Sequence, residues 1–169
     1  MKMTELFLGA LEREAAHTRR VLERVPDGKA EWKPHTKSMK MGYLASLVAT
    51  MPGWVDMMIN QNELDLRPVG GKPYKQAELS SSAELVAALE ASVAKGRAAL
   101  TSTTDEHLLT PWRFMVGGKV VSENPRHIML SDSVFHHWAH HRGQLTVYLR
   151  LNDAMVPAIY GPSADEGQF

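Results

Sequence analysis

Four stretches of this chain repeat apolar residues at the three- and four-residue spacing of a helix, and each is bounded by residues that start or stop one. The first covers residues 4–24, with Leu8, Leu11, Ala15, Thr18 and Leu22 along one stripe, and Pro26-Asp27-Gly28 ends it. The second covers residues 38–60, with Ser38 as N-cap and an inward stripe of Leu44, Leu47 or Val48, Met51, Val55 and Met58. Pro52 lies inside it, where the missing N–H should bend the helix. Residues 66–79 read as a Gly- and Pro-rich loop. Ser81-Ser82-Ala83-Glu84 has the spacing of a capping box and opens the third helix, to residue 102. Ala87, Ala88, Ala91, Ala94 and Gly96 line that helix and invite a close neighbour. Asn124-Pro125 supplies an N-cap and first-turn proline for the fourth, reaching residue 151.

Between the third and fourth helices, residues 112–116 and 119–121 are short apolar runs around Gly117-Gly118, the signature of a β-hairpin. The pattern predicts an all-α fold, an antiparallel four-helix bundle with this short hairpin inserted before the last helix. All of residues 1–169 form one domain in this reading, and the tail 157–162 packs back on the body.

Composition narrows the function. Lys plus Arg equals Asp plus Glu at 19 each, so no net field attracts nucleic acid or an anionic membrane. There is no cysteine, which removes disulfides, thiolate nucleophiles and Cys-ligated metals. Charges at Glu5, Glu12 and Arg13 interrupt the N-terminal segment before a signal-peptide core develops, and no run approaches the roughly 20 apolar residues of a membrane helix. These features predict a cytoplasmic protein.

Any site must then come from His, carboxylate or hydroxyl groups, and the histidines are concentrated. Four of the eight fall within residues 136–141. His137 and His141, like His136 and His140, are four apart, so on a helix either pair converges on one face. The row Leu130, Val134, His137, His141, Leu145 and Tyr148 is otherwise apolar, which makes His137 and His141 the inward pair and the candidate metal ligands. The row of His136 and His140 also holds Ser133, Gly143 and Val147 and reads as a flank. Two buried imidazoles are equally consistent with hydrogen-bonded core residues. A zinc-type site needs a third protein ligand from elsewhere.

Several motifs carry a family resemblance over nearly the whole chain. They are Val25-Pro26, Trp32-Lys33-Pro34-His35 with Ser38, Met41-Gly42-Tyr43-Leu44-Ala45, Pro52-Gly53-Trp54, and His137-Trp138-Ala139-His140-His141-Arg142-Gly143-Gln144-Leu145 continuing through Tyr148-Leu149-Arg150. With the tail from Val156-Pro157 to Asp165-Glu166, they resemble the DinB-like family of bacterial four-helix-bundle proteins. The resemblance implies a nickel or zinc centre held by three histidines, one from the second helix and two, four apart, from the last. The last two match His137 and His141. It also implies homodimers and, for some members, metal-dependent transfer using low-molecular-weight thiols.

This chain departs from the pattern where the second-helix histidine should align, near Leu47, and no histidine lies between His35 and His107. Two functions follow as alternatives. One is a metal-dependent hydrolase or thiol transferase built on His137 and His141, with a non-histidine ligand or water completing the shell. The other is a non-catalytic, metal-free homodimeric binding module in which Leu47 replaces that ligand. Glu14 and His17 read as a solvated flank, Asp56 as solvent-facing and His35 as structural. Trp54, Trp138 and Met51 read as core or interface. Arg142 reads as an ion-pair partner, within the chain or across a dimer, and Gly143 as a point of close helix contact.

Overall fold

The computed structural model describes residues 2–76 and 78–167. The first helix, α1 (Met3–Leu22), buries Leu11, Thr18 and Leu22 of the expected stripe together with Val21, while Leu8 and Ala15 are half-buried against the core. Helix α2 (Met41–Thr50) starts three residues after Ser38, so Ser38 is not its N-cap. The loop before it does the capping. The amides of Met41 and Gly42 donate to the carbonyls of Trp32 and Ala30 at 2.8 and 2.9 Å, so two of the first N–H groups are satisfied by backbone. That packing requires Gly42: a Cβ there would lie 2.9 Å from the Cβ of Ala30.

Pro52 acts as expected. It tightens the chain into a 3₁₀ turn (Met51–Gly53) that divides α2 from α3 (Trp54–Asn60). Both halves keep one buried face, with Leu44, Leu47, Val48, Met51, Val55 and Met58 all in the core. Helix α4 (Ser82–Ser102) opens with the capping box, Ser81 accepting from the Glu84 amide. Its buried stripe is Leu85, Leu89, Val93, Gly96, Ala99 and Leu100, while Ala87, Ala91 and Ala94 face outward. Ala88 packs partly buried against the core, and Gly96 makes a close approach, where a Cβ would meet the Pro52 carbonyl at 2.9 Å.

The fold is mostly helical, but it is not all-α. Strand β1 (Glu63–Asp65) lies next to the segment read as loop and pairs in parallel with β2 (Pro111–Val116), and β2 pairs antiparallel with β3 (Lys119–Pro125). The result is a mixed three-stranded sheet in the order β1-β2-β3. Gly117 and Gly118 both have positive φ, which a side chain would strain. A three-residue strand with a partner some fifty positions away leaves no periodic trace.

After the short helices α5 (Asp105–Leu108) and α6 (Arg126–Met129), the last long helical segment begins as a π-helix (Leu130–His136) and continues as α7 (His137–Arg150). Asn124 belongs to β3 and caps nothing. Of the row expected to face inward, Leu130, Val134, His141, Leu145 and Tyr148 are buried and His137 is half-buried, while Trp138, Arg142 and Leu149 are buried beside them. Among the described residues, no helix is long and apolar enough to cross a membrane.

Candidate functional site

His137 stands where the π-helix passes into α7, and it is half-buried. Its ring centroid lies 4.5 Å from that of His141 and 5.9 Å from that of Trp54. The spacing argument therefore brings His137 and His141 side by side. His141 is the deeper of the two. Its Nδ1 is 2.7 Å from Gln144 Oε1, an acceptor, so in this arrangement Nδ1 carries the proton and Nε2 is the basic nitrogen. Burial pushes the His141 pKa below the ordinary histidine range; neighbouring His137 and His140 add to this, and the Gln144 bond opposes it. His136 and His140 are exposed, and His136 pairs with Asp132 at 3.2 Å.

The other candidate ligands go elsewhere. Glu14 accepts from Arg142 Nη2 at 2.5 Å and from the Tyr160 hydroxyl at 2.7 Å. Arg142 is thus an ion-pair partner within the chain, buried to 2% exposure and also bonded to Thr18 Oγ1 and Tyr160. His17 packs edge-on against Tyr160, which ties the tail to α1 and α7. His35 Nδ1 accepts from the Lys37 amide, and Asp56 accepts from Asn60. Trp138 and Met51 are core residues, with Trp138 Nε1 donating to the Val48 carbonyl at 2.8 Å. Gly143 is exposed and touches nothing that a Cβ would meet, so it is not a point of close contact within this chain.

What lies against His137 is an apolar cavity of about 450 Å³. Its wall includes Tyr43 and Leu47 from α2, Trp54 and Met57 from α3, and Trp112 from β2. The volume falls within the roughly 300–1,000 Å³ usual for small-molecule sites. The sheet is what closes it. Trp112 and Phe114 point to the same face of β2, two residues apart, and both line the cavity. That alternation was the one signal in the sequence that these aromatics share a face; nothing there indicated that α3 and α2 lie opposite.

A model of the DinB family matches residues 1–168. The chain belongs to the DinB family. Among solved structures it is similar to a DinB-like protein from Bacillus cereus ATCC 10987, with 22% identity, a TM-score of 0.72, and coverage of 92% of this chain and 97% of that one. A DinB-like protein from Bacillus subtilis matches with 20% identity and a TM-score of 0.62, covering 89% and 94%. These likenesses show a shared fold. No curated protein matches the chain.

The residues present do not fit the three-histidine centre that the family resemblance implies. Leu47 lines the same cavity as His137 and offers no donor atom. Among the described residues, no group of three or more His, Cys, Asp or Glu side chains is placed to hold a metal ion. His137 and His141 pack together with Gln144 bonded to the latter, and the exposed His140 ring lies 5.2 Å from that of His141.

Proposed function

We propose that this DinB-family protein is a metal-independent binding module for a small apolar molecule. In this reading its long helical segments form an antiparallel four-helix bundle, and Leu47 replaces the third imidazole. The observation that carries it is the cavity itself: Leu47 adds to a predominantly apolar wall that also includes His137, and it stands where the family resemblance implies a ligand. A side chain that removes a donor also adds apolar area for a guest, worth about 25 cal/mol per Å² withdrawn from water. Metal-dependent hydrolysis or thiol transfer needs a third donor that these residues do not provide. Homodimerisation belongs to the same reading and is checked by sedimentation velocity.

The test is binding of a neutral apolar fluorophore, N-phenyl-1-naphthylamine, to tag-free protein. One saturable equivalent is expected, with the same affinity in a chelator and in added nickel or zinc. Absence of saturable binding, or binding that needs the metal, would overturn the proposal.

A further inference from the structure

The cavity wall is mostly carbon and thioether, and no Lys, Arg, Asp or Glu among the described residues lines it. Its polar groups are of two kinds. Some are already engaged: the Tyr74 hydroxyl donates to Gln76 Oε1 at 3.1 Å, and Ser122 Oγ accepts from Asn124 Nδ2 at 3.1 Å. The others are free. Neither ring nitrogen of His137, nor the hydroxyl of Ser133 or Tyr43, has a hydrogen-bond partner among the described residues, and none of these atoms is sealed from solvent as the Trp112 indole nitrogen is. Tyr43 is a single such group on α2, whereas Ser133 and His137 stand four residues apart on the last helical segment and line the cavity together. Ser133 lies in the π-helix (Leu130–His136) and His137 directly follows it. Segments of this kind are rare and recur at functional sites.

These features call for a guest with one polar end. A neutral imidazole has one donor and one acceptor nitrogen, and a serine hydroxyl can give or take. A hydroxyl on the guest suits both, donating to the imidazole while accepting from the serine. A carboxylate only accepts, and with no Lys or Arg in the wall its charge would have to be met by protonating His137 itself. The rest of the guest meets Trp54, Phe114 and the methionines Met57, Met58 and Met129, which favour a flat, polarisable body.

We propose that the cavity binds a phenol-type molecule, a flat aromatic body whose hydroxyl donates to the His137 imidazole and accepts from the Ser133 hydroxyl. This rests on the binding function proposed above and specifies the ligand class and its orientation.

The test compares 2-naphthol with 2-methylnaphthalene, close in size, each displacing N-phenyl-1-naphthylamine from tag-free protein in chelator at about pH 8, above the ordinary histidine range. The ratio of the two affinities is followed from parent to variant, so the different hydrophobicity of the probes cancels. That ratio should fall about tenfold in His137→Leu and about threefold in Ser133→Ala, as for loss of one hydrogen bond, and stay unchanged in Tyr43→Phe. On the unmodified chain an imidazole nitrogen of His137 should move upfield in ¹⁵N spectra with naphthol and not with methylnaphthalene, so the proposal stays testable if a variant does not fold. An unchanged ratio in both His137→Leu and Ser133→Ala without the naphthol-specific imidazole shift would overturn it, as would a fall confined to Tyr43→Phe. If 2-naphthoate binds more tightly than naphthol and loses that advantage in His137→Leu, the hydroxyl is overturned in favour of an anionic head. In each of these cases the binding function would stand, whereas failure of the fluorophore and of every probe to bind would remove that function too.

Discussion

Arg126 is buried to 2% exposure, yet none of its hydrogen-bond partners among the described residues carries a negative charge. Its Nε donates to the Met58 carbonyl at 2.9 Å. Nη1 donates to Thr110 Oγ1 at 2.6 Å and the Pro111 carbonyl at 2.8 Å. Nη2 donates to the Gln61 carbonyl at 3.1 Å and Asn62 Oδ1 at 2.7 Å. One side chain thus joins the end of α3, the approach to β1 and the start of β2, which are the elements that hold the cavity wall together. Burial lowers its pKa, as expected for a cation away from water.

Replacing Arg126 with Met has two opposed effects. It strands three backbone carbonyls, at about 1–3 kcal/mol each where water cannot reach them. It also removes a desolvated charge that costs several kcal/mol to bury. The Thr110 and Asn62 side chains can rotate toward solvent, so they add little. The expected net loss for Arg126→Met is about 2–4 kcal/mol, read as a lower urea midpoint at unchanged m-value by circular dichroism. Arg126→Lys is the sharper comparison. It keeps the buried charge while losing most of the fork of bonds, so it should be no more stable than Arg126→Met, despite being the milder change in charge. Both variants should also lose fluorophore binding, because Met58 and Trp112 flank the joint. A loss under about 1 kcal/mol in the Met variant, or a Lys variant at parental stability, would refute the reasoning.

Two further outcomes are expected. Leu47→His adds an imidazole beside His137 and should create nickel or zinc affinity, measured by calorimetry, where the parent has little; no gain would mean that position 47 does not face the histidine pair. At the tail, Glu166 receives Arg20 and Arg24, and the Arg24 bond is the main reason its carboxyl sits below the usual glutamate value. Its folded pKa is lowered, so its contribution is present above about pH 4.3 and is lost as pH falls through the folded value. Protection of the Ala158 amide, which donates to Glu166, should therefore fall on acidification when exchange is measured against its intrinsic rate at each pH, and should already be low at pH 6 in Glu166→Gln. Equal protection in parent and variant at pH 6 would contradict this.

Local chemistry alone settled much of this protein. Apolar spacing, Pro52 and the Ser81–Glu84 capping box marked helices and their interruptions, because each depends on residues within a turn or two. The four-residue interval of His137 and His141 placed their rings together for the same reason. That a third imidazole is expected near Leu47 came from the family resemblance and not from spacing. Tertiary structure decided the rest. The π-helix over residues 130–136 and the full burial of Trp138 beside a half-buried His137 reflect packing along the whole segment and not the spacing within it. The sheet depended on β1 finding β2 across some fifty residues, and Arg126 became a central joint only when three separate segments brought their carbonyls to it. The cavity is a product of that assembly. Its wall draws on α2, α3, the sheet and the last helical segment, so no single stretch of sequence contains its pattern.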